Sequence, residues 1–532
     1  MLAFKLSHPP TPFAMNYRMH QSAHRLVETT GQPRGRGQVQ YLHDGQTDYR
    51  ITIHLQNAGS HIPRGYQLET IPPPKLPAGY SFEAAGIDFA PDGTLYVSTR
   101  TVGVWSYRDG KWAQFADGLY DALGLRVRQD GVYVMQKPEL TRLVDDDADG
   151  VADRYDSIAA GFRFSGNYHE FAYGPRFDRA GNAFLALNLA AGTGHKVSQS
   201  DGIQMTTPLG FRGCVMRVSP DGQLTPHAYG FRSPAGIGIN GEDELFVTDN
   251  QGDWVPSSYL IHVRPGQFHG HPASLLDTAQ YGGGAPLTAH TVYPIPSKVP
   301  AVDEADFRQR RLPPTVWLPH EEYANSPGNP EFCETASFGP FKDQLFIGDV
   351  TKKSILRVQL ERIGGEYQGA VFHFVRPLPG GGFRLKFAPD GALYIGELAR
   401  GWGSGMAGVQ RLTWDGKTPP FEIHSARLAS DGFRVHFTKP LAASPKPADL
   451  EVYSFRYNYW QLYGSERIDN TQLQPTALAL SPDQRILNLR LPNLQPGFIY
   501  SVRFKNLASH DGTPLVNNSF CYTLNRLQEA KK

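Results

Sequence analysis

The chain of 532 residues predicts an all-β fold, a six-bladed β-propeller followed by a C-terminal immunoglobulin-like β-sandwich, on three observations. The first is a recurring pattern: an apolar stretch, a polar turn, then an alternating apolar stretch. Its six copies read GIDFAPDGTLYVST from Gly86, GLRVRQDGVYVMQ from Gly124, YGPRFDRAGNAFLALN from Tyr173, GIGINGEDELFVTD from Gly236, FGPFKDQLFIGD from Phe338 and LKFAPDGALYIGE from Leu385. Asp-Gly and Ala-Gly supply the positive φ of a tight turn, and the β-branched and aromatic residues after them fill a buried pleated face. The second is composition: 55 glycines, 42 prolines and 12 % aromatic residues suit many short strands joined by turns. The third is physical: one hairpin cannot bury its apolar face alone, whereas radially stacked copies can.

Taken in order, residues 1–40 are rich in Pro, Gly, Arg, Gln and His without a sustained period, and read as a flexible segment or a clamp. Residues 41–78 hold an alternating strand, YRITIHLQ, and a linker, TIPPPKLPAGY, that its prolines keep extended. The propeller is expected over 79–417, with its largest insertion, rich in Gly, Pro, His and Trp, at 250–340 between the fourth and fifth copies. Beyond TWDGKTPPFEIH the blade pattern stops while alternation continues, so 418–528 is expected to form a separate sandwich of structural or adhesive role.

Several function classes fall away. With 52 Lys+Arg against 51 Asp+Glu the net charge is +1, which encodes no attraction to nucleic acid. No run approaches the ~20 apolar residues of a membrane span. The opening MLAFKLSHPPTPFAMNYRMH is interrupted by Ser, His and Pro and is no clear signal peptide. Cys214, Cys333 and Cys521 stand apart, forming no CxxC, zinc ribbon or CxxCH, and read as buried free thiols. GxSxG, P-loop and dinucleotide fingerprints are absent in a fitting context, and His169-Glu170 lacks the second histidine of HExxH.

Within the loops, Asp145, Asp147, Asp149, Asp153 and Asp156 occupy positions 1, 3, 5, 9 and 12 of a calcium-type loop with Gly150 at position 6. A hard cation needs six to eight oxygens converging from a short segment, and an ion here is expected to staple a loop rather than to catalyse; the alternative is a solvated acidic turn. His169, before the third copy, is a candidate general base, or a merely hydrogen-bonded histidine. Arg232, in FRSPAG, suits either an anion held at fixed geometry or a salt bridge between blades. His269 and His271 in FHGHP lack an evident third metal ligand and read as packing or substrate contacts. Trp254, His271, His320 and Trp402 supply rings and hydrogen-bonding groups suited to a sugar, or to plain loop packing.

These ordered motifs resemble the glucose/sorbosone dehydrogenase family of six-bladed propellers, in a divergent branch related to the propellers of bacterial haem-binding-domain proteins, over residues 65–417. His169 in HEFAYGPRF, Arg232 in an R-x-P turn, Gln251-Gly252 and PGQFHGHP carry the likeness. Two departures stand out: Lys352 and Lys353 lie one and two positions from the family's fifth-blade lysine, and its arginine pair is reduced to Arg384. The resemblance implies oxidation of an aldose or polyol hydroxyl with pyrroloquinoline quinone and calcium. His169 would take the hydroxyl proton, Arg232 would stabilise the reduced quinone, and Gln251, Gly252, Lys352 and Arg384 would contact the cofactor. It also implies a periplasmic or secreted location and, without CxxCH, a separate electron acceptor. Two other readings stay open: a non-redox carbohydrate-binding or assembly propeller that has lost the quinone site, and a metal-assisted hydrolase or lyase.

Overall fold

Alternating apolar residues pair into antiparallel sheets, and five four-stranded sheets together with four strands of an eight-stranded one form the six blades of a propeller. The computed structural model describes residues 61–191, 205–206, 210–277, 311–399, 405–460 and 462–528, with short strands before them. The chain divides into units 1–61 and 62–532. In the first, Val39–His43 pairs with Asp48–Thr52 and Ala14–Asn16 with His54–Gln56; the rest of the segment expected to be flexible lies outside the described residues.

In the second unit, blade 1 runs through Ala84–Phe89, Leu95–Thr99, Val104–Arg108 and Lys111–Ala116. Blade 2 comprises Gly124–Arg128, Gly131–Met135, Leu140–Val144 and Arg154–Ala159. Blade 3 is built from Ala172–Phe177, Ala183–Leu187, Cys214–Val218 and Leu224–Tyr229. Blade 4 takes Gly236–Ile239, Leu245–Asp249, Ser258–Val263 and Val316–Leu318. Blade 5 has Pro327–Phe332, Leu345–Asp349, Ser354–Ile363 and Glu366–Val375. Blade 6 uses Gly381–Phe387, Leu393–Leu398 and Gly408–Trp414, and its fourth strand comes from the other end of the unit: Tyr66–Ile71 pairs with Gly408–Trp414, from Tyr66 opposite Trp414 to Ile71 opposite Val409. The ring is thus closed by a strand that lies within the stretch expected to be a linker. The second strands carry the same buried position in every blade, Val97, Val134, Leu185, Val247, Ile347 and Ile395, all fully buried. Each contributes about 1.5–3 kcal/mol of burial.

The fifth copy of the pattern is displaced. Its first half is not a strand: Ala336–Phe338 is a 3-10 turn, and the innermost strand is the Gly- and Pro-bearing Pro327–Phe332 upstream. The turns of blades 4 and 5 lack glycine at the strained position, and Asp243 (φ 62) and Asp343 (φ 66) adopt the positive φ instead.

Glycine at the axis answers a steric demand. A Cβ on Gly124 would lie 1.7 Å from Gly174 O, and one on Gly236 2.1 Å from Gly328 O, because neighbouring innermost strands converge there. Into this convergence Arg384 projects, donating to Ala85 O (2.9 Å), Leu123 O (3.0 Å) and Ala235 O (2.9 Å). Only a water-sized cavity of about 10 Å³ remains between it and Arg176, so the axis is plugged.

Residues 423–524 form two further sheets. One orders Ile423–Ala429, Gly432–Phe437, Ile486–Arg490 and Ala477–Leu480; the other orders Ser519–Leu524, Phe498–Phe504, Leu450–Tyr457 and Arg467–Leu473. They enclose Phe433, Leu487, Val502 and Phe520. The sandwich is continuous with the propeller: Ser519–Leu524 pairs with Glu366–Val375, from Gly369 opposite Thr523 to Phe372 opposite Phe520, making one eight-stranded sheet. At ten residues, the outer strand of blade 5 is long enough to serve both.

Candidate functional site

Strand alternation brings the loops before each first strand and after each second strand to one end of the propeller, where a buried carboxylate ties them together in blades 4 to 6. Asp249 accepts from the N–H groups of Arg232 (2.8 Å) and Ser233 (2.7 Å), Asp349 from those of Asn325 (2.8 Å) and Ser326 (2.7 Å), and Glu397 from that of Gly380 (2.9 Å). Burial pushes Asp349 up to about 6 and Glu397 to about 7.

On this frame the loop Ser165–Glu170 carries His169. Glu170 accepts from Ser165 N–H, Ser165 O–H and Asn167 N–H, and Asn167 Oδ1 accepts from His169 N–H, so the loop is held by its own side chains. Nδ1 of the half-buried His169 donates to Leu189 O (3.1 Å), which leaves Nε2 to accept the Ser233 hydroxyl (3.2 Å). Burial, assisted by the Arg232 charge, lowers His169 to about 4, so the ring is neutral near pH 7.

Arg232 is committed elsewhere. Its Nε donates to Asp253 Oδ1 (2.7 Å), while Asp253 Oδ2 accepts from His271 Nε2 (3.1 Å) and Met205 N–H (2.7 Å); Arg232, Asp253 and His271 are 3 %, 2 % and 1 % exposed. Burial opposes the charge on Asp253, but His271 and Arg232 outweigh it and hold the carboxyl at about 2. Gly252 makes the packing possible, since a Cβ there would fall 1.8 Å from Arg232 Nε. The sandwich then covers the network. Its 458–465 loop donates Gly464 N–H to Gly252 O (2.9 Å), accepts Trp254 N–H at Trp460 O (2.9 Å) and sets the Tyr463 ring 5.2 Å from the Arg232 guanidinium. Gln251 packs against Gly464 and donates to Pro256 O (3.1 Å).

The structure sets several of the expected contact residues among other protein groups. Trp254 is 4 % exposed and lies beneath the 458–465 loop, so it offers no platform to a sugar, and His271 faces Asp253. Arg384 plugs the axis with its donors spent on carbonyls. Lys352 donates to Glu321 (3.1 Å), which also lies 3.4 Å from His320, so both are engaged by the same carboxylate at the junction of blades 4 and 5. Trp402 lies outside the described residues. The three cations assigned to the quinone, Arg232, Lys352 and Arg384, are each engaged by protein groups, and the residues present do not fit a molecule with three carboxylates.

Periodicity gave no sign of the aromatic rim. Tyr120, Phe164, Tyr168 and Tyr463 are 47 %, 39 %, 58 % and 45 % exposed. Tyr120 meets Phe164 at 6.1 Å, Tyr168 meets His169 at 5.7 Å, and Lys137, 5.2 Å from the Tyr120 ring, is held by Asp121 (3.2 Å). Their only sequence signal is position, in loops that precede or cover a blade.

The acidic loop joins the third and fourth strands of blade 2 and docks on blade 1 through Ala152 N–H to Phe115 O (2.8 Å). Carboxylate oxygens of Asp145, Asp147 and Asp149 lie within 4.8 Å of one another, and Asp145 Oδ1 is buried without a hydrogen-bond partner among the described residues. Asp153 accepts Asp146 N–H at the loop mouth. These groups fit a hard cation. Asp156 does not join them: it stands on a strand, with one oxygen on Arg142 (2.9 Å) and the other on Arg154 (3.1 Å).

Comparison with known proteins places the chain as follows. Solved structures similar to it include an oxidoreductase (glucose dehydrogenase) from Thermus thermophilus, at 18 % identity over 65 % of this chain and 100 % of that one, with a TM-score of 0.44. The soluble aldose sugar dehydrogenase of Escherichia coli matches at 15 % identity over 65 % and 99 %, TM-score 0.43, and the PQQ domain of pyranose dehydrogenase from Coprinopsis cinerea at 12 % over 67 % and 98 %, TM-score 0.43. No curated protein matches. The model of a domain of unknown function, DUF7133, matches residues 108–401, more than half of the sequence, and the chain belongs to that family.

Proposed function

We propose that this protein is a non-redox propeller that binds carbohydrate at the end carrying His169, and that the groups a quinone would use have been turned to structural work. The observation that carries this reading is the buried Arg232–Asp253–His271 network beneath Tyr463. A carboxylate-rich cofactor would have to displace Asp253 and lift the 458–465 loop to reach Arg232. What remains accessible suits a sugar: exposed rings for its apolar faces, and the partly exposed, neutral His169 and Asn167 for its hydroxyls. Calcium, in this reading, is held by Asp145, Asp147, Asp149 and Asp153 and fastens blade 2 to blade 1.

Two measurements test the proposal. Titration with pyrroloquinoline quinone and calcium is expected to leave the quinone absorption unchanged and to give no reduction of an electron-accepting dye with any aldose. A glycan array is expected to show binding that Tyr168→Ala and His169→Ala each weaken at least about tenfold, the loss of one stacking or hydrogen-bonding contact at a desolvated site. Dye reduction after loading with the quinone would overturn the reading.

A further inference from the structure

The opposite end of the propeller, where the first and second strands of each blade turn back, holds a cavity of about 610 Å³ lined by blades 2 to 6. The plug formed by Arg384 separates it from the His169 end. A ring of charged residues stands near the ends of the first strands: Arg126, Arg176, Glu331 and Lys386 line the cavity and Asp88 stands behind them, paired with Arg126, with Gly238 leaving a gap at blade 4. Arg126 donates to Asp88 (3.1 Å) and Lys386 lies 3.2 Å from Glu331. Three cations face two carboxylates, so the ring has one positive charge in excess.

Arg176 carries that excess. It is 7 % exposed, yet among the described residues its side chain makes a single long hydrogen bond, to Pro175 O at 3.4 Å, and meets one carboxylate, Glu331, at 3.8 Å. Most of a buried guanidinium fork is left unfilled, an arrangement that costs free energy unless an anion or water meets it. Toward the opening the balance reverses: Arg128 and Arg179 stand with Asp178, Asp243 and Glu334, one negative charge in excess. Arg128 lies over the Phe177 ring at 4.2 Å and has no ion pair among the described residues. Asp178 is occupied by Asn182 and Asp243 by Arg179, while Glu334 is exposed and accepts no hydrogen bond among the described residues.

We propose that this funnel binds a small hydroxylated carboxylate, a sugar acid, with the carboxylate received by Arg176 and the hydroxyls turned to the acidic rim. The geometry is that of a fork–fork guanidinium–carboxylate pair at the closed end of a cavity, with acceptors for O–H donors at the open end. The volume suits one small molecule, and the phenyl rings of Phe177, Phe332 and Phe387 line it. This site is independent of the one proposed around His169.

Isothermal titration of the full chain with D-glucuronate, D-glucose and inorganic phosphate tests the assignment. One glucuronate is expected to bind, at least about tenfold more tightly than glucose, the discrimination of one charge-assisted contact, and more tightly than phosphate, which lacks the hydroxyls. Arg176→Gln is expected to remove that preference over glucose. Because Arg176 is buried, two further variants accompany it: the exposed Arg128→Gln, expected to weaken glucuronate binding several-fold, and Glu331→Gln, which removes a competing carboxylate and is expected to tighten it. His169→Ala is expected to leave glucuronate binding unchanged, which separates this site from the other end. Equal affinity for glucuronate and glucose, no heat with glucuronate, phosphate binding as tightly as glucuronate, or a glucuronate affinity indifferent to both Arg128→Gln and Glu331→Gln would overturn the proposal.

Discussion

Replacing Asp253 by asparagine keeps the shape of the side chain and removes its charge. The carboxylate accepts from Arg232 Nε, His271 Nε2 and Met205 N–H, and both ionisable partners are almost wholly buried. An amide offers one acceptor oxygen where two were used and turns an NH₂ group toward donors. Arg232 is then a buried cation without a counter-charge, a change that costs about 3–5 kcal/mol. Arg232→Met alone is expected to cost less, because Asp253 keeps His271. If the two residues act as a pair, Arg232→Met combined with Asp253→Asn is less destabilising than the sum of the single changes, by about 0.5–3 kcal/mol. Urea unfolding at pH 7, followed by tryptophan fluorescence, measures all four proteins, with Trp254 and Trp460 beside the network as reporters. A loss below about 1 kcal/mol for Asp253→Asn, or strict additivity in the cycle, would refute the account of Arg232 as a buried, pair-dependent charge.

Other consequences are as direct. Calcium is expected to raise the thermal midpoint of chelator-treated protein and to have no effect on Asp145→Asn/Asp149→Asn, whereas Asp156→Asn retains the response because its carboxylate faces Arg142 and Arg154; differential scanning fluorimetry reads all three. Gly124→Ala places a methyl group 1.7 Å from Gly174 O at the crowded axis and is expected to destabilise by more than about 3 kcal/mol or to prevent folding, read by the soluble yield and the urea midpoint. Burial lowers His169, His227 and His424 to about 4, below their unfolded value near 6.5. Between pH 6.5 and 4 the unfolded chain binds protons that the folded one does not, so stability is expected to fall as pH drops through that window, and replacing His227 by asparagine to flatten the fall in a pH series of thermal midpoints.

The six copies of the hairpin pattern were legible because a strand buried on one face must alternate, and a turn at positive φ must use Gly or a residue such as Asp that tolerates it. That local rule located the second strands of all six blades, and it placed His169 and Arg232 in neighbouring loops at one end. It failed in blade 5, where the glycine and prolines of Pro327–Phe332 hide a strand and the apolar residues around Phe338 imitate one. It was equally blind to ring closure by Tyr66–Ile71, because nothing in a single strand names a partner more than 300 residues away.

By itself, then, the sequence determined the class of fold, the number of blades and the loops from which polar side chains emerge, since each of these is written in residues close together in the chain. Only the tertiary structure decided what those side chains do. Arg232 read equally well as an anion receptor or an ion-pair partner until folding set Asp253 2.7 Å from it and brought a loop of the sandwich over both. Arg384 carried the same charge in either role, and the carbonyls of three converging strands made it a plug. The physical reason is common to both residues: a charge taken out of water must be met by whatever the fold places beside it, and the groups that meet it come from distant parts of the chain.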